Sequence, residues 1–209
     1  MYLMAKQYEN CVSAKGIAKY FKVNTAVDVY KVEGQPDQEL GYLAPVYFDE
    51  ATTKAMVADV NARLETAKTE LINEKTGKPK KWLETPFVPY ATDDDGEIYF
   101  KFKTSHLKKD ADGNEIRKYV PVFDTKNKPL GNDVAIGNGS IVKIAYSPSA
   151  YHVNANVNGL KFFLNAIQVI DLVEFGGGSN GGSFGFGEES GYVAPVDPAD
   201  DIEDPFDGE

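Results

Sequence analysis

The chain has 209 residues, 42% of them apolar, which supports one sizeable folded domain with an extension and excludes a chain disordered throughout. Its single cysteine, Cys11, excludes an internal disulfide, and two histidines, His106 and His152, exclude most histidine-rich metal sites. The formal charge of −10 argues against nucleic acid only until its distribution is considered: residues 176–209 hold nine acids and no Lys or Arg, which leaves 23 acids against 22 bases in the rest of the chain. A near-neutral body with an acidic tail can still carry a local basic groove.

The start, MYLMAKQYEN, has no apolar core of the signal-peptide type, and the most apolar stretch, 160–173, is interrupted by Lys161, Asn165, Gln168 and Asp171. Neither secretion nor a membrane span is expected, and a lone thiol fits a reducing cytoplasm. From residue 11 the chain reads as strands and turns. Residues 27–32 (VDVYKV) alternate apolar with polar, Gly34, Pro36 and Asp37 mark a turn, and 42–48 (YLAPVYF) is a strand in which Pro45 suggests an edge or a bulge. One helix is predicted over 50–74. Asp49 is its N-cap, Met56, Val60, Leu64, Ala67 and Leu71 form its apolar stripe, and Gly77 and Pro79 lie beyond its end.

After the helix the pattern returns to strands. Ile98, Phe100 and Phe102 define a core face, and Tyr99, Lys101 and Lys103 the opposite one. Residues 110–115 (DADGNE) predict a hairpin turn returning through 117–123, and Gly137-Asn138-Gly139 a tight turn feeding a strand over 140–146. The longest strand is predicted at 160–172. One helix among six or more strands favours a small β-barrel over an α/β sheet. Residues 176–209 contain nine of the 19 glycines with Ser, Pro and acids. This composition predicts a disordered linker and tail, so the division is a domain over 1–175 and an extension over 176–209.

No catalytic pattern emerges. Neither histidine lies near a nucleophile elbow or an HExxH run, both read as loop residues, and Cys11 reads as a small buried apolar group. Asp93-Asp94-Asp95-Gly96 and Asp110-Ala111-Asp112-Gly113 resemble pieces of calcium loops but lack the terminal Glu and the flanking helices. Asp-Gly turns explain both, and no metal, cofactor or enzymatic activity is expected.

Bases interleaved with aromatics recur along the predicted strands, a pairing that suits single-stranded nucleic acid because ammonium groups neutralise phosphates while rings stack on any base. The candidate contacts are Lys80, Lys81, Trp82, Tyr99, Lys101, Lys103, Arg117, Tyr119, Lys143 and Tyr151. In the tail, Asp200, Asp201, Glu203, Asp204, Phe206 and Asp207 form an acidic segment around one aromatic, the composition of an anchor for a basic, partly apolar pocket on a partner.

Together these features resemble the single-stranded DNA-binding proteins of short-tailed bacteriophages. The resemblance rests on 16–20 (GIAKY), on 121–174, which includes PVFDTKNKPLGNDVAIGNGSIVKIAYSP and NGLKFFLNAIQVIDLVE, and on Asp204-Pro205-Phe206 near the end. It implies an OB-fold, a five-stranded Greek-key barrel with one inserted helix, followed by an acidic tail. It further implies a homodimer acting in the cytoplasm of an infected bacterium, in DNA replication, recombination and repair, with the tail recruiting the phage polymerase and helicase/primase. The alternative from another class is a phage structural or adaptor barrel whose aromatics serve subunit contacts; it would show no salt-sensitive affinity for DNA.

Overall fold

The computed structural model describes residues 9–173. Eleven strands and one helix follow in order: β1 (Cys11–Val12), β2 (Gly16–Ala18), β3 (Asp28–Tyr30), β4 (Gln38–Tyr47), α1 (Glu50–Glu70), β5 (Tyr90–Thr92), β6 (Ile98–Thr104), β7 (Leu107–Lys109), β8 (Glu115–Arg117), β9 (Val122–Phe123), β10 (Ile141–Asn154) and β11 (Val157–Asp171). Five of them close a barrel. β2 pairs with β4, β4 with β6, β6 with β11, β11 with β10, and β10 returns to β2. All of these pairings are antiparallel except β6 with β11, where Phe102 lies opposite Phe162 and Lys103 opposite Phe163. This strand order is the OB-fold arrangement that the family resemblance implies.

Alternation along the long strands fills the barrel. Phe100, Phe102, Val142, Ile144, Phe162, Leu164 and Ile167 point inward and are fully or almost fully buried. Their rings pack with that of Tyr146: the centroids of Phe102 and Phe162 lie 5.6 Å apart, and those of Tyr146 and Phe162 4.7 Å apart. Burying a large apolar side chain of this kind contributes about 1.5–3 kcal/mol.

The helix starts where its cap predicts. The Asp49 carboxylate accepts the Thr52 N–H at 2.9 Å, and Val60, Leu64 and Ala67 are buried against the barrel. It ends at Glu70, four residues earlier than the sequence suggests. Leu71 is already extended, and residues 71–80 fold back on themselves through Asn73 N–H to Lys78 O and Lys80 N–H to Leu71 O.

Two further expectations are corrected. Pro45 lies inside β4, between β2 and β6, and not at an edge; the other expectation, a bulge, fits, because residues 19–21 oppose only 44–45 between the Ala18–Val46 and Lys22–Leu43 pairs. The proline is tolerated because β2 turns away there. Pro45 O accepts the Lys19 N–H, Tyr20 then adopts a left-handed φ of 57°, and the chain rejoins β4 only at Lys22 opposite Leu43, so no ladder partner awaits the missing N–H. The turn at 110–113 forms as expected, but it joins β7 to β8 in a separate two-stranded ribbon and does not return β6 on itself. β9 pairs in parallel with β11 instead.

Asp93 and Asp110 behave alike. Each carboxylate accepts the N–H groups two and four residues on, and Gly96 and Gly113 supply the positive φ of each turn. Among the described residues no group of three or more His, Cys, Asp and Glu side chains converges as a metal site would need. No helix among them is long and apolar enough to cross a membrane. Cys11 is half-exposed, not buried, with its thiol 3.5 Å from a Glu9 carboxylate oxygen.

Candidate nucleic-acid interface

The outer face of β6 and β11 forms the floor of a groove of about 380 Å³. Because Phe100, Phe102, Phe162 and Leu164 point inward, strand alternation directs Lys101, Lys103, Lys161 and Phe163 outward. Tyr151, near the far end of β10, closes one side, Phe87, Val88 and Pro89 the other, and Leu40 of β4 lies on the rim. The lining contains three lysines and no acid. Lys103 Nζ lies 4.0 Å from the Asp28 carboxylate, just outside the groove. Burial, reinforced by the neighbouring Lys103 ammonium, holds Lys101 below the ordinary lysine pKa. Burial likewise pushes the Tyr151 phenol up, so that ring is neutral throughout the physiological range.

The wall at Phe87 is fixed to the β10–β11 turn. Phe87 N–H donates to Asn158 O at 3.0 Å, and Leu160 N–H donates to Phe87 O at 2.9 Å. The approach is so close that a Cβ on Gly159 would lie 2.2 Å from Phe87 O, which restricts position 159 to glycine. Asn158 itself is fully buried. Its side chain accepts the Leu83 N–H and donates to Asn154 O and Ala155 O, so one residue holds both the wall segment and the turn.

Two other concavities are less suited to a polyanion. One, of about 290 Å³, is mainly apolar, and its lysine, Lys22, is paired with Asp28 at 2.8 Å. The other, of about 700 Å³, sets Lys15 and Lys19 against Asp49, Glu50 and Glu97.

The groove gathers Lys101, Lys103 and Tyr151 from the sequence-derived candidates. Lys80, Lys81 and Trp82 flank it on the segment leading to Phe87: Lys81 O is 2.8 Å from His152 Nε2, and the Trp82 ring packs edge-on to His152 with its indole N–H buried. Tyr99 lies further along β6, stacked on Tyr47 at 5.4 Å. The Tyr47 phenol is pushed up to about 12 by burial and by its hydrogen bond to Asp93. Arg117 acts as a brace, its guanidinium donating to the Tyr42 hydroxyl at 3.2 Å and to Asn24 O, with Tyr119 beside it at 5.6 Å. Lys143 is eight residues before Tyr151 on β10, about 26 Å along the strand at 3.3 Å per residue, and lies outside the groove. His106 lies in the loop between β6 and β7 as expected, with its Nε2 2.7 Å from the Glu39 carboxylate, whereas His152, also expected in a loop, lies within β10. The tail candidates Asp200, Asp201, Glu203, Asp204, Phe206 and Asp207 lie outside the described residues.

Comparison with known proteins bears directly on this geometry. The family model described as the single-stranded DNA-binding protein of bacteriophage T7 matches residues 27–172. The chain belongs to this family. It is 34% identical over 119 residues to the single-stranded DNA-binding protein of Escherichia phage T7, covering 56% of this chain and 50% of that one. It is 30% identical over 152 residues to the counterpart from Enterobacteria phage T3, covering 68% and 65%. The chain thus spans between half and two thirds of those relatives' length. The crystal structure of gp2.5, the single-stranded DNA-binding protein encoded by bacteriophage T7, superimposes with a TM-score of 0.60 at 25% identity, over 90% of this chain and all of that one. A single-stranded DNA-binding protein from bacteriophage Enc34, solved in complex with ssDNA, shares the fold at a TM-score of 0.50 and 14% identity, over 80% of this chain and 89% of that one.

Sequence reasoning missed three groove residues: Phe87, Lys161 and Phe163. The signal for the last two was present. Leu160, Phe162 and Leu164 carry the apolar alternation of a half-buried strand, which places Lys161 and Phe163 on its outer face. Phe87 carried no comparable signal, because it lies in an irregular segment whose direction depends on Asn158, 71 residues away.

Proposed function

We propose that this protein binds single-stranded DNA without strong sequence preference and without catalysing a reaction on it. One observation carries the reading: a single acid-free groove on the β6–β11 face of an OB-type barrel brings together Lys101, Lys103 and Lys161 with the rings of Tyr151, Phe163 and Phe87. Lysines there neutralise successive phosphates, and each aromatic face accepts any base, at about 1–3 kcal/mol per stacked base. Lys80, Lys81 and Trp82 extend the surface on the flank. Tyr99, Arg117, Tyr119 and Lys143 contribute at most to a longer path around the barrel.

Membership of a phage single-stranded DNA-binding family supports placing this activity in phage DNA replication, recombination and repair, in the cytoplasm of an infected bacterium. On that reading residues 1–175 form the DNA-binding unit. Residues 176–209 form a tether whose acidic end, with Phe206, engages basic pockets on the phage polymerase and helicase/primase, and the protein works as a homodimer.

The test is an anisotropy titration of the full chain with a labelled oligo-dT and with a duplex of equal length. Tight binding of the single strand and much weaker binding of the duplex is the expected result. No binding of oligo-dT at low salt would contradict the reading and favour a structural or adaptor barrel.

A further inference from the structure

Lys161 occupies an unusual position in the groove. It projects from β11 between the buried Leu160 and Phe162, and its ammonium lies 4.3 Å from the centroid of the Phe163 ring and 5.5 Å from that of Tyr151. The two rings come from different strands. Phe163 is two residues further along β11, and Tyr151 lies two residues beyond Ser149, the β10 partner of Lys161. Among the described residues the charge of Lys161 is therefore met by ring faces and not by a carboxylate, whereas Lys103 lies beside Asp28.

We propose that Lys161 is the resting occupant of a base-stacking subsite, exchanged when a single strand enters. The proposal rests on the single-stranded DNA reading above and specifies how that site distinguishes its ligand. The ring surface under the ammonium cannot hold a base at the same time. Stacking on an aromatic face is a stronger interaction than an exposed cation–π contact, so an unpaired base displaces the ammonium. The flexible four-carbon stem then lets the displaced charge reach the adjacent phosphate. Lys161 thereby links two events: it neutralises a phosphate when a base has taken its place. A duplex offers phosphates but keeps its base faces stacked internally, so it lacks the group that evicts Lys161 from the rings. Lys161 is thus a specificity-determining residue for unpaired strands, over and above its charge.

The experiment compares the full-length protein with Lys161→Met, which keeps an apolar stem against the rings and removes the charge. Oligo-dT titrations over a salt series should give the variant a slope of log affinity against log salt shallower by about 0.7, so the wild-type advantage shrinks roughly 2.6-fold between about 50 and 200 mM. In parallel, the Lys161 ε-methylene proton resonances of the wild-type protein should be displaced upfield by the rings when free. They should return to the ordinary lysine position on saturation with oligo-dT and remain displaced with duplex. Equal slopes, or an ε-methylene that stays displaced in the oligo-dT complex, would overturn the exchange and leave the single-stranded DNA reading standing. Failure of the wild-type protein to bind oligo-dT at all would overturn that reading and the exchange with it.

Discussion

Strand β6 and the stretch that follows it, 105–123, both carry bases beside aromatics and put their cations to different uses. In β6 every second side chain is anchored in the barrel, so Lys101 and Lys103 stand outward over the groove, with no hydrogen bond to the strand that carries them. In 105–123, where β7 and β8 form a ribbon of their own, two of the four bases hold the segment in place. Arg117 bonds Tyr42 and Asn24 O, and Lys118 Nζ donates to the Thr104 hydroxyl at 2.7 Å. The presence of Lys, Arg and Tyr in a segment therefore says little about binding. What decides is whether the charged ends are left without structural duties.

The largest expected contrast lies within β6. Phe100→Ala removes a fully buried ring and should cost about 3–5 kcal/mol in urea unfolding. Lys103→Ala should stay within about 0.5 kcal/mol, as exposed substitutions usually do. Comparable losses for both would mean that the inward and outward faces of β6 are not distinct.

Next is the wall of the groove. Gly159→Ala drives a methyl group into Phe87 O and should cost about 1–3 kcal/mol of stability, as overpacking does. It should also weaken oligo-dT binding, because Phe87 is displaced from the groove. Unchanged affinity in a destabilised Gly159→Ala protein would remove Phe87 from the site.

Arg117 sharpens the comparison from the other side. Arg117→Lys keeps the charge but cannot reproduce both hydrogen bonds. It should lower the melting temperature while leaving DNA affinity and its salt slope unchanged. A reduced slope with an unchanged melting temperature would move Arg117 from brace to phosphate contact.

The smallest effect expected is in the pH profile. Burial and Lys103 lower the pKa of Lys101, so its ammonium loses its proton at a lower pH than an unperturbed lysine. Its contribution to DNA binding is therefore complete below that lowered pKa and is lost above it. Affinity should begin to decline at an alkaline pH where unperturbed lysines are still charged, and Lys101→Arg should postpone the decline. Superimposable profiles for wild type and Lys101→Arg would contradict this.

Legibility in the sequence follows the same division. The N-cap at Asp49, the Asp-Gly turns and the two faces of β6 were readable because each depends on residues a few positions apart, while the OB barrel, closed by distant pairings, was implied by the family resemblance. The end of α1 was not, since Leu71 fits the helical stripe and leaves the helix only because residues 71–80 close a turn of their own. The return of β6 was misread for a related reason: the turn at 110–113 is local and correct, but which strand it serves is settled by pairing across the barrel. For the site, alternation placed Lys101 and Lys103 correctly and would have placed Lys161 and Phe163. Which aromatics converge with them depends on β6 lying parallel to β11 and on Asn158 holding Phe87, contacts between residues far apart in sequence.

The central claim is that the lysines of the β6–β11 groove neutralise the phosphates of a single strand. The salt dependence of oligo-dT affinity tests it directly, in wild type and in Lys101→Ala/Lys103→Ala. Three groove lysines predict a slope of about −2.1 for the wild type, an affinity loss of roughly 18-fold between about 50 and 200 mM, and a slope near −0.7 for the double variant. The same slope in both proteins would contradict the claim and move the DNA path off this face of the barrel.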